Sequence, residues 1–139
     1  MTMRAQYHFR PGPDGLRAWD MRKIVAQCAD LPVRDVPLSE IAELDEDWWF
    51  AHGGTATPRA LAAHMAQVTE VDCTFPIVLD AEGRLMDGMH RVVQALLAGA
   101  QTVRAVQLAQ TPAPDFVGVA PGDLPYGDDP ARNDQEKMR

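Results

Sequence analysis

Apolar residues recur at helical spacing in three stretches of the chain. After the turn-forming run Arg10-Pro-Gly-Pro-Asp-Gly15, the positions Met21, Ile24, Val25 and Cys28 fall at i, i+3, i+4 and i+7, with Asp20 placed to cap the helix they define. Thr57-Pro58 opens a second helix with proline at its first position, and Leu61, Met65 and Val68 form the apolar stripe that predicts its buried face. Met89, Val92, Val93, Leu96 and Leu97 share one arc of a third, which Gly99 ends.

Between these helices the period changes. The run Val33 to Leu38 reads as a short strand, with Ser39 capping one helical turn that carries Glu40 and Ile41. Phe75-Pro-Ile-Val-Leu-Asp80 and Arg84-Leu-Met-Asp87 read as two strands around the turn Ala81-Glu-Gly83, and Thr102 to Leu108 as a last strand. Asp45 to Thr57 has no period and two glycines, so it reads as a loop. These elements predict a single globular domain, with an N-terminal segment carrying one helix over 1–35, the main domain over 36–109, and a Pro- and Asp-rich tail over 110–139 that is extended or disordered.

Composition narrows the functional classes. At 139 residues and 46% hydrophobic content the chain has material for one real core. Its formal charge is −7, from 20 acidic against 13 basic side chains, and no Lys/Arg run exceeds two residues. That argues against direct duplex DNA binding, which needs many cations to displace counterions from phosphates. Cys28 and Cys73 lie in apolar stretches without a CxxC spacing, so both are expected to be inert core thiols. No apolar run approaches membrane-spanning length and the N-terminus has no apolar leader segment, so a cytoplasmic protein with no membrane partner is expected.

The candidate chemistry sits at Asp87-Gly-Met-His-Arg91, where a strand gives way to a helix. A helix start has free backbone N–H groups and attracts anions, whereas arginine there opposes the macrodipole. Arg91 and His90 beside that start suit a phosphate, and Gly88 lets a ligand approach the backbone without a Cβ in the way. The same residues also fit a local role, with Asp87 as a helix cap and His90 and Arg91 solvated or paired with nearby acids. His64, at the edge of the second helix's stripe, and Arg59, near its start, are either contacts to the same ligand or ordinary surface and partly buried residues. Trp48-Trp49 offer one ring to the core and one for stacking on a base or partner, and Trp19, on the polar side of its helix, poses the same choice. The Ala51-His-Gly-Gly-Thr55 segment reads as a mobile loop or lid.

The order Val36-Pro-Leu-Ser-Glu-Ile-Ala-Glu-Leu44, the helix from Pro58 to Val68, and Phe75 to Leu108 with its Gly-x-His-Arg turn resemble the ParB N-terminal and sulfiredoxin superfamily. The resemblance covers Val36 to Leu108. It implies a compact α+β fold, a small mixed sheet packed with helices, and a nucleoside triphosphate, ATP or CTP with Mg²⁺, held at Gly88, Met89, His90 and Arg91 with His64 and Arg59 nearby. Sulfiredoxins carry an essential cysteine immediately before His-Arg. Met89 stands there, so sulfinic acid reduction is excluded for want of a thiolate. ParB partition proteins have Gly-Glu-Arg-Arg at this turn and a following DNA-binding domain, which the acidic tail here does not resemble. A third branch, the free-serine kinases, is similar to Asp87–Arg91 in spelling. NTP hydrolysis or phosphoryl transfer is thereby implied, with Asp87 holding the metal or phosphate and Glu40 as a candidate base. The alternatives are a non-catalytic regulatory module that binds a protein partner or a second copy of itself, and a ParB-like nuclease, which the acidic charge disfavours.

Overall fold

The computed structural model describes residues 5–126. The chain is mixed α+β, with two small sheets and three α-helices, and it divides into two units: residues 30–111, and residues 5–29 together with 112–126.

The 30–111 unit holds the candidate site. Its sheet has the order β3-β6-β4-β5, from β3 (Arg34–Pro37), β4 (Ile77–Leu79), β5 (Leu85–Asp87) and β6 (Thr102–Gln107). The pairs β3/β6 and β4/β5 are antiparallel and β4/β6 is parallel. β4 and β5 form a hairpin whose turn is organised by Asp80: its Oδ1 accepts from the N–H groups of Glu82 and Arg84, both at 2.9 Å. The connection from β5 to β6, which carries the chain across to pair parallel with β4, runs through α3 (Met89–Leu97), so the site turn lies at a strand-to-helix junction.

The core of this unit is Val36, Leu38, Ile41, Ile77, Leu79, Leu85, Met89, Val92 and Ala105. Thr57 caps α2 (Pro58–Glu70) through the Ala60 N–H at 3.1 Å, with Pro58 opening the helix as expected. The helix is rolled away from the expected face, however. Val68 is buried, whereas Leu61 is 45% and Met65 37% exposed. The cause is polar: Gln94 Nε2 donates to the carbonyls of Val68 and Val71, and His64 bonds His90, so these interactions with α3 turn the His64/Val68 edge inward. On α3, Met89 and Val92 are buried and Val93 packs against the core, but Leu96 and Leu97 are exposed beyond it. The single turn expected after Ser39 is a 3-10 turn over Leu38–Glu40 with no side-chain cap. Cys73 is exposed rather than a core thiol, and Cys28 is half-buried.

The second unit is more structured than one helix and a tail. The turn run Pro11-Gly-Pro-Asp-Gly15 lies in the loop of a hairpin between β1 (Tyr7–Arg10) and β2 (Arg17–Asp20), and β7 (Phe116–Val117) pairs with β2 on its other side. Trp19 is therefore a strand residue, 2% exposed, and not on the polar side of a helix. α1 (Met21–Gln27) follows directly, capped by Asp20 as expected, and buries Met21 and Ile24. The chain after Ala109 folds back through Pro112–Tyr126: Trp19 Nε1 donates to Pro112 O at 2.8 Å, and Tyr7 packs edge-on against Phe116 and Tyr126. The tail expected beyond Tyr126 lies outside the described residues. Among the described residues no helix is long and apolar enough to cross a membrane.

Candidate functional site

Gly88 occupies the cap position of α3 with φ 109° and ψ 23°, in the left-handed region that L side chains avoid. No side chain caps the helix. Its first backbone bond runs from Val92 N–H to Gly88 C=O at 3.0 Å, which leaves the N–H groups of Met89, His90 and Arg91 without helical acceptors. The conformation of Gly88 turns the chain sharply from β5 into α3 and aims these three donors along the helix axis toward the turn.

Gly88 does not leave room for a ligand on its Cβ side. A Cβ there would lie 2.7 Å from Ile77 Cγ2 and 2.8 Å from an Arg91 terminal nitrogen. The glycine is required by φ and by the packing of Ile77 and the Arg91 guanidinium across it. Any anion must approach from the N–H side.

Arg91 lies along the turn with 18% of its side chain exposed and donates to Asp87 Oδ2 at 3.0 Å, an i,i+4 ion pair with a 29% exposed partner. Its Nε is buried and has no hydrogen-bond partner among the described residues. A buried donor without an acceptor costs about 1–3 kcal/mol, so the guanidinium holds unused hydrogen-bonding capacity at an anion-seeking helix start.

His64 on α2 and His90 on α3 meet head to head. His64 Nδ1 and His90 Nε2 are 2.9 Å apart. The ring centroids are 5.2 Å apart, which is that distance plus one ring radius at each end, so the rings meet end-on in an N–H···N bond and are not face-stacked. Trp49 lies nearly parallel to both rings, with centroids 4.4 Å from His64 and 5.1 Å from His90, and Phe50 meets His64 edge-on. One imidazole must donate and the other accept, so the two cannot both be protonated as arranged. Burial, then His64, then Arg91 push the His90 pKa down to about 4, against a smaller opposing effect of Asp87. Burial also lowers the pKa of His64. His90 is thus a hydrogen-bonding group at neutral pH and does not bring the positive charge expected of it.

The remaining expected residues are dispersed. Met89 is 5% exposed and packs in the core. Arg59 is exposed in the first turn of α2. Glu40 is exposed at the other end of the β4–β5 hairpin from Asp87, in a shallow depression of about 300 Å³ lined also by Leu79, Glu82, Gly83 and Gln107. The two candidate acids are not brought together.

A buried carboxylate that sequence reasoning passed over is Glu43. It is 3% exposed, accepts from the Leu85 N–H at 3.0 Å and lies 3.6 Å from Arg84 Nε. It fastens the 3-10 turn over Ala42–Asp45 to β5, and an acid spaced among Ile41 and Leu44 was the available signal. Trp49 as the cover of the histidine pair had no signal of this kind, because it depends on how the irregular loop folds back.

Mg²⁺ characteristically takes one or two carboxylates together with substrate phosphates. Among the described residues no group of three or more His, Cys, Asp and Glu stands together, so Asp87 fits such an ion only alongside phosphate oxygens. No family model matches the chain, and no curated protein or solved structure matches it either.

Proposed function

We propose that the chain is a ParB/sulfiredoxin-like nucleotide-binding protein that holds the phosphates of ATP or CTP, with Mg²⁺, at the Gly88–Arg91 turn, and that NTP hydrolysis or phosphoryl transfer takes place there. The observation that supports this most is the coincidence, at one helix start, of three N–H groups without helical acceptors and a buried Arg91 Nε without a partner among the described residues. Phosphate oxygens accept from the Met89, His90 and Arg91 N–H groups and draw the guanidinium from Asp87. The Asp87 carboxylate is then free to orient an acceptor hydroxyl or water, or to hold the metal. Mg²⁺, when bound, supplies neutralisation of the phosphate oxygens. His90 enters as a neutral donor steadied by His64, and a nearby phosphate favours its protonation.

The place of Glu40 favours a second reading, a regulatory or protein-binding module that takes the nucleotide without turning it over. Asp87 is the acid at the turn, and Glu40 lies away from it.

The test is a thermal-shift panel of ATP, ADP, CTP and GTP with and without Mg²⁺, followed by calorimetry on Arg91→Ala. A ligand at a hundred times its Kd adds about 2.7 kcal/mol to apparent stability. Stabilisation by at least one triphosphate, lost in Arg91→Ala, is the expected result. Silence across the panel would remove nucleotide binding. Binding without turnover, unchanged in Asp87→Asn, would select the regulatory module.

A further inference from the structure

Because the bond between the two histidines joins Nδ1 of His64 to Nε2 of His90, it admits only two neutral states. When His90 Nε2 carries the hydrogen, His64 accepts at Nδ1 and is protonated at Nε2, so both rings are Nε2–H tautomers. When His64 Nδ1 carries it, His90 accepts at Nε2 and is protonated at Nδ1, so both are Nδ1–H tautomers. While the bond lasts, neither ring changes tautomer without the other.

The outer nitrogens, His90 Nδ1 and His64 Nε2, have no hydrogen-bond partner among the described residues, and neither is closed off from solvent. They lie on different helices. His90 is in the first turn of α3, and its Nδ1 is bonded to Cγ, so with Nε2 turned to α2 this nitrogen stays beside the N–H groups of Met89, His90 and Arg91. A bare, accepting Nδ1 suits that helix start. His64 Nε2 is the far end, on α2. The four ring nitrogens thus form a path from the candidate phosphate turn to the second helix. Trp49 lies within 11° and 18° of the two ring planes and Phe50 meets His64 edge-on, which holds the rings in register. Burial lowers the pKa of both rings and disfavours an imidazolium at either, so a proton arriving at one end is passed on and not stored.

We infer that the His64–His90 pair is the proton relay of the phosphoryl-transfer site, with His90 Nδ1 as the base that takes the proton of the acceptor hydroxyl or water. The inference rests on reading the Gly88–Arg91 turn as a nucleotide site, and it supplies the base that Glu40, away from the turn, does not. Asp87 then serves the metal. As the acceptor oxygen bonds to the γ-phosphorus, the bond to the leaving oxygen breaks and the nucleoside diphosphate keeps its electron pair. The acceptor's proton moves to His90 Nδ1, the His90 Nε2 hydrogen moves to His64 Nδ1, and the His64 Nε2 hydrogen leaves to water. Both rings finish neutral, as Nδ1–H tautomers. After product leaves, water returns a proton to His64 Nε2 and takes the one on His90 Nδ1, which restores the starting state. His64 touches no substrate atom and acts through His90.

The experiment is ATP and CTP hydrolysis with Mg²⁺ by the full chain and by His64→Gln and His64→Ala, with the nucleotide affinity of each measured by calorimetry. Glutamine still offers His90 Nε2 a hydrogen bond but cannot relay a proton, so a merely structural His64 would be replaced by it without loss. The expected result is a kcat about a hundredfold lower in both variants with affinity nearly unchanged, the pattern of a group acting only in the transition state. Free imidazole should restore part of the kcat of His64→Ala. NMR correlation of the histidine ring nitrogens with their carbon-bound protons, on the wild-type chain at neutral pH, should show the same tautomer in both rings, a result that depends on no variant folding. Opposite tautomers, full turnover in His64→Gln, or no rescue by imidazole would overturn the relay and leave the nucleotide site standing. Binding without turnover in the wild type would also overturn the relay alone, whereas no nucleotide binding would overturn the site and the relay together.

Discussion

Replacing Gly88 by alanine separates the geometric requirement of the turn from its presumed tolerance of a ligand. The residue sits at φ 109°, where an L side chain costs on the order of 1–2 kcal/mol. The added methyl would meet Ile77 Cγ2 at 2.7 Å and Ile77 Cβ at 3.0 Å, and Ile77 is fully buried with no room to retreat. Overpacking of that kind costs about 1–3 kcal/mol. The sum, about 2–5 kcal/mol, is a large part of the 5–15 kcal/mol typical of a whole domain. Gly99 supplies the control. It has φ 75° but nothing within 4 Å of its Cβ position, so Gly99→Ala should cost only the backbone contribution, about 1–2 kcal/mol. Denaturant unfolding followed through Trp48 and Trp49 measures both variants. Equal losses for Gly88→Ala and Gly99→Ala would refute the contact argument and reopen the Cβ side of Gly88 to a ligand.

Other expectations follow from the same unit. His90 has its pKa depressed from 6.5 to about 4, so the unfolded chain takes up the proton first as pH falls. The stability this neutral imidazole contributes is complete above about pH 6.5, is lost between there and about pH 4, and changes no further below. After allowance for its partial solvent contact the loss is about 1 kcal/mol, and His90→Gln should flatten the stability profile over that window. Glu43→Ala should lower unfolding free energy by about 1–3 kcal/mol, since it removes a charge-assisted hydrogen bond between the buried carboxylate and the Leu85 N–H. Leu61→Lys and Met65→Lys should each change stability by less than about 0.5 kcal/mol, whereas Val68→Ala should cost about 1–3 kcal/mol, reversing the ranking that the apolar stripe alone suggests. Met89→Cys should not confer sulfinic acid reduction, because residue 89 is buried and offers no accessible thiolate.

Local chemistry was legible where it was self-contained. The Thr57-Pro58 start, the Asp20 cap, the hairpin around Asp80–Arg84 and the helix ending near Gly99 follow from residues close in sequence, and the structure has each of them. The orientation of α2 was not legible, because it is fixed by Gln94 and His90 on another helix and not by its own apolar stripe. Phe116 and Val117 look like a tail because a two-residue strand has no period of its own, and they are ordered only through pairing with β2. The hairpin around Pro11–Leu16 did have a signal: Tyr7-His-Phe-Arg10 alternates beside a turn run, but four residues are too few to outweigh the helical spacing that follows. At the site, the Gly88 turn and the Asp87–Arg91 pairing follow from local spacing. The cover of Trp49 over two histidines and the separation of Glu40 from Asp87 depend on tertiary placement.

The most direct measurement is the backbone amide spectrum of the full chain during titration with ATP and, separately, CTP, each with Mg²⁺. Phosphate seated at the start of α3 should move the amides of Met89, His90 and Arg91 together and saturably, shift the Arg91 Nε–H, and leave Glu40 and Gly83 at the opposite end of the hairpin nearly still. Saturable binding that leaves the Met89, His90 and Arg91 amides in place, or no saturable change with either nucleotide, would contradict phosphate recognition at this turn.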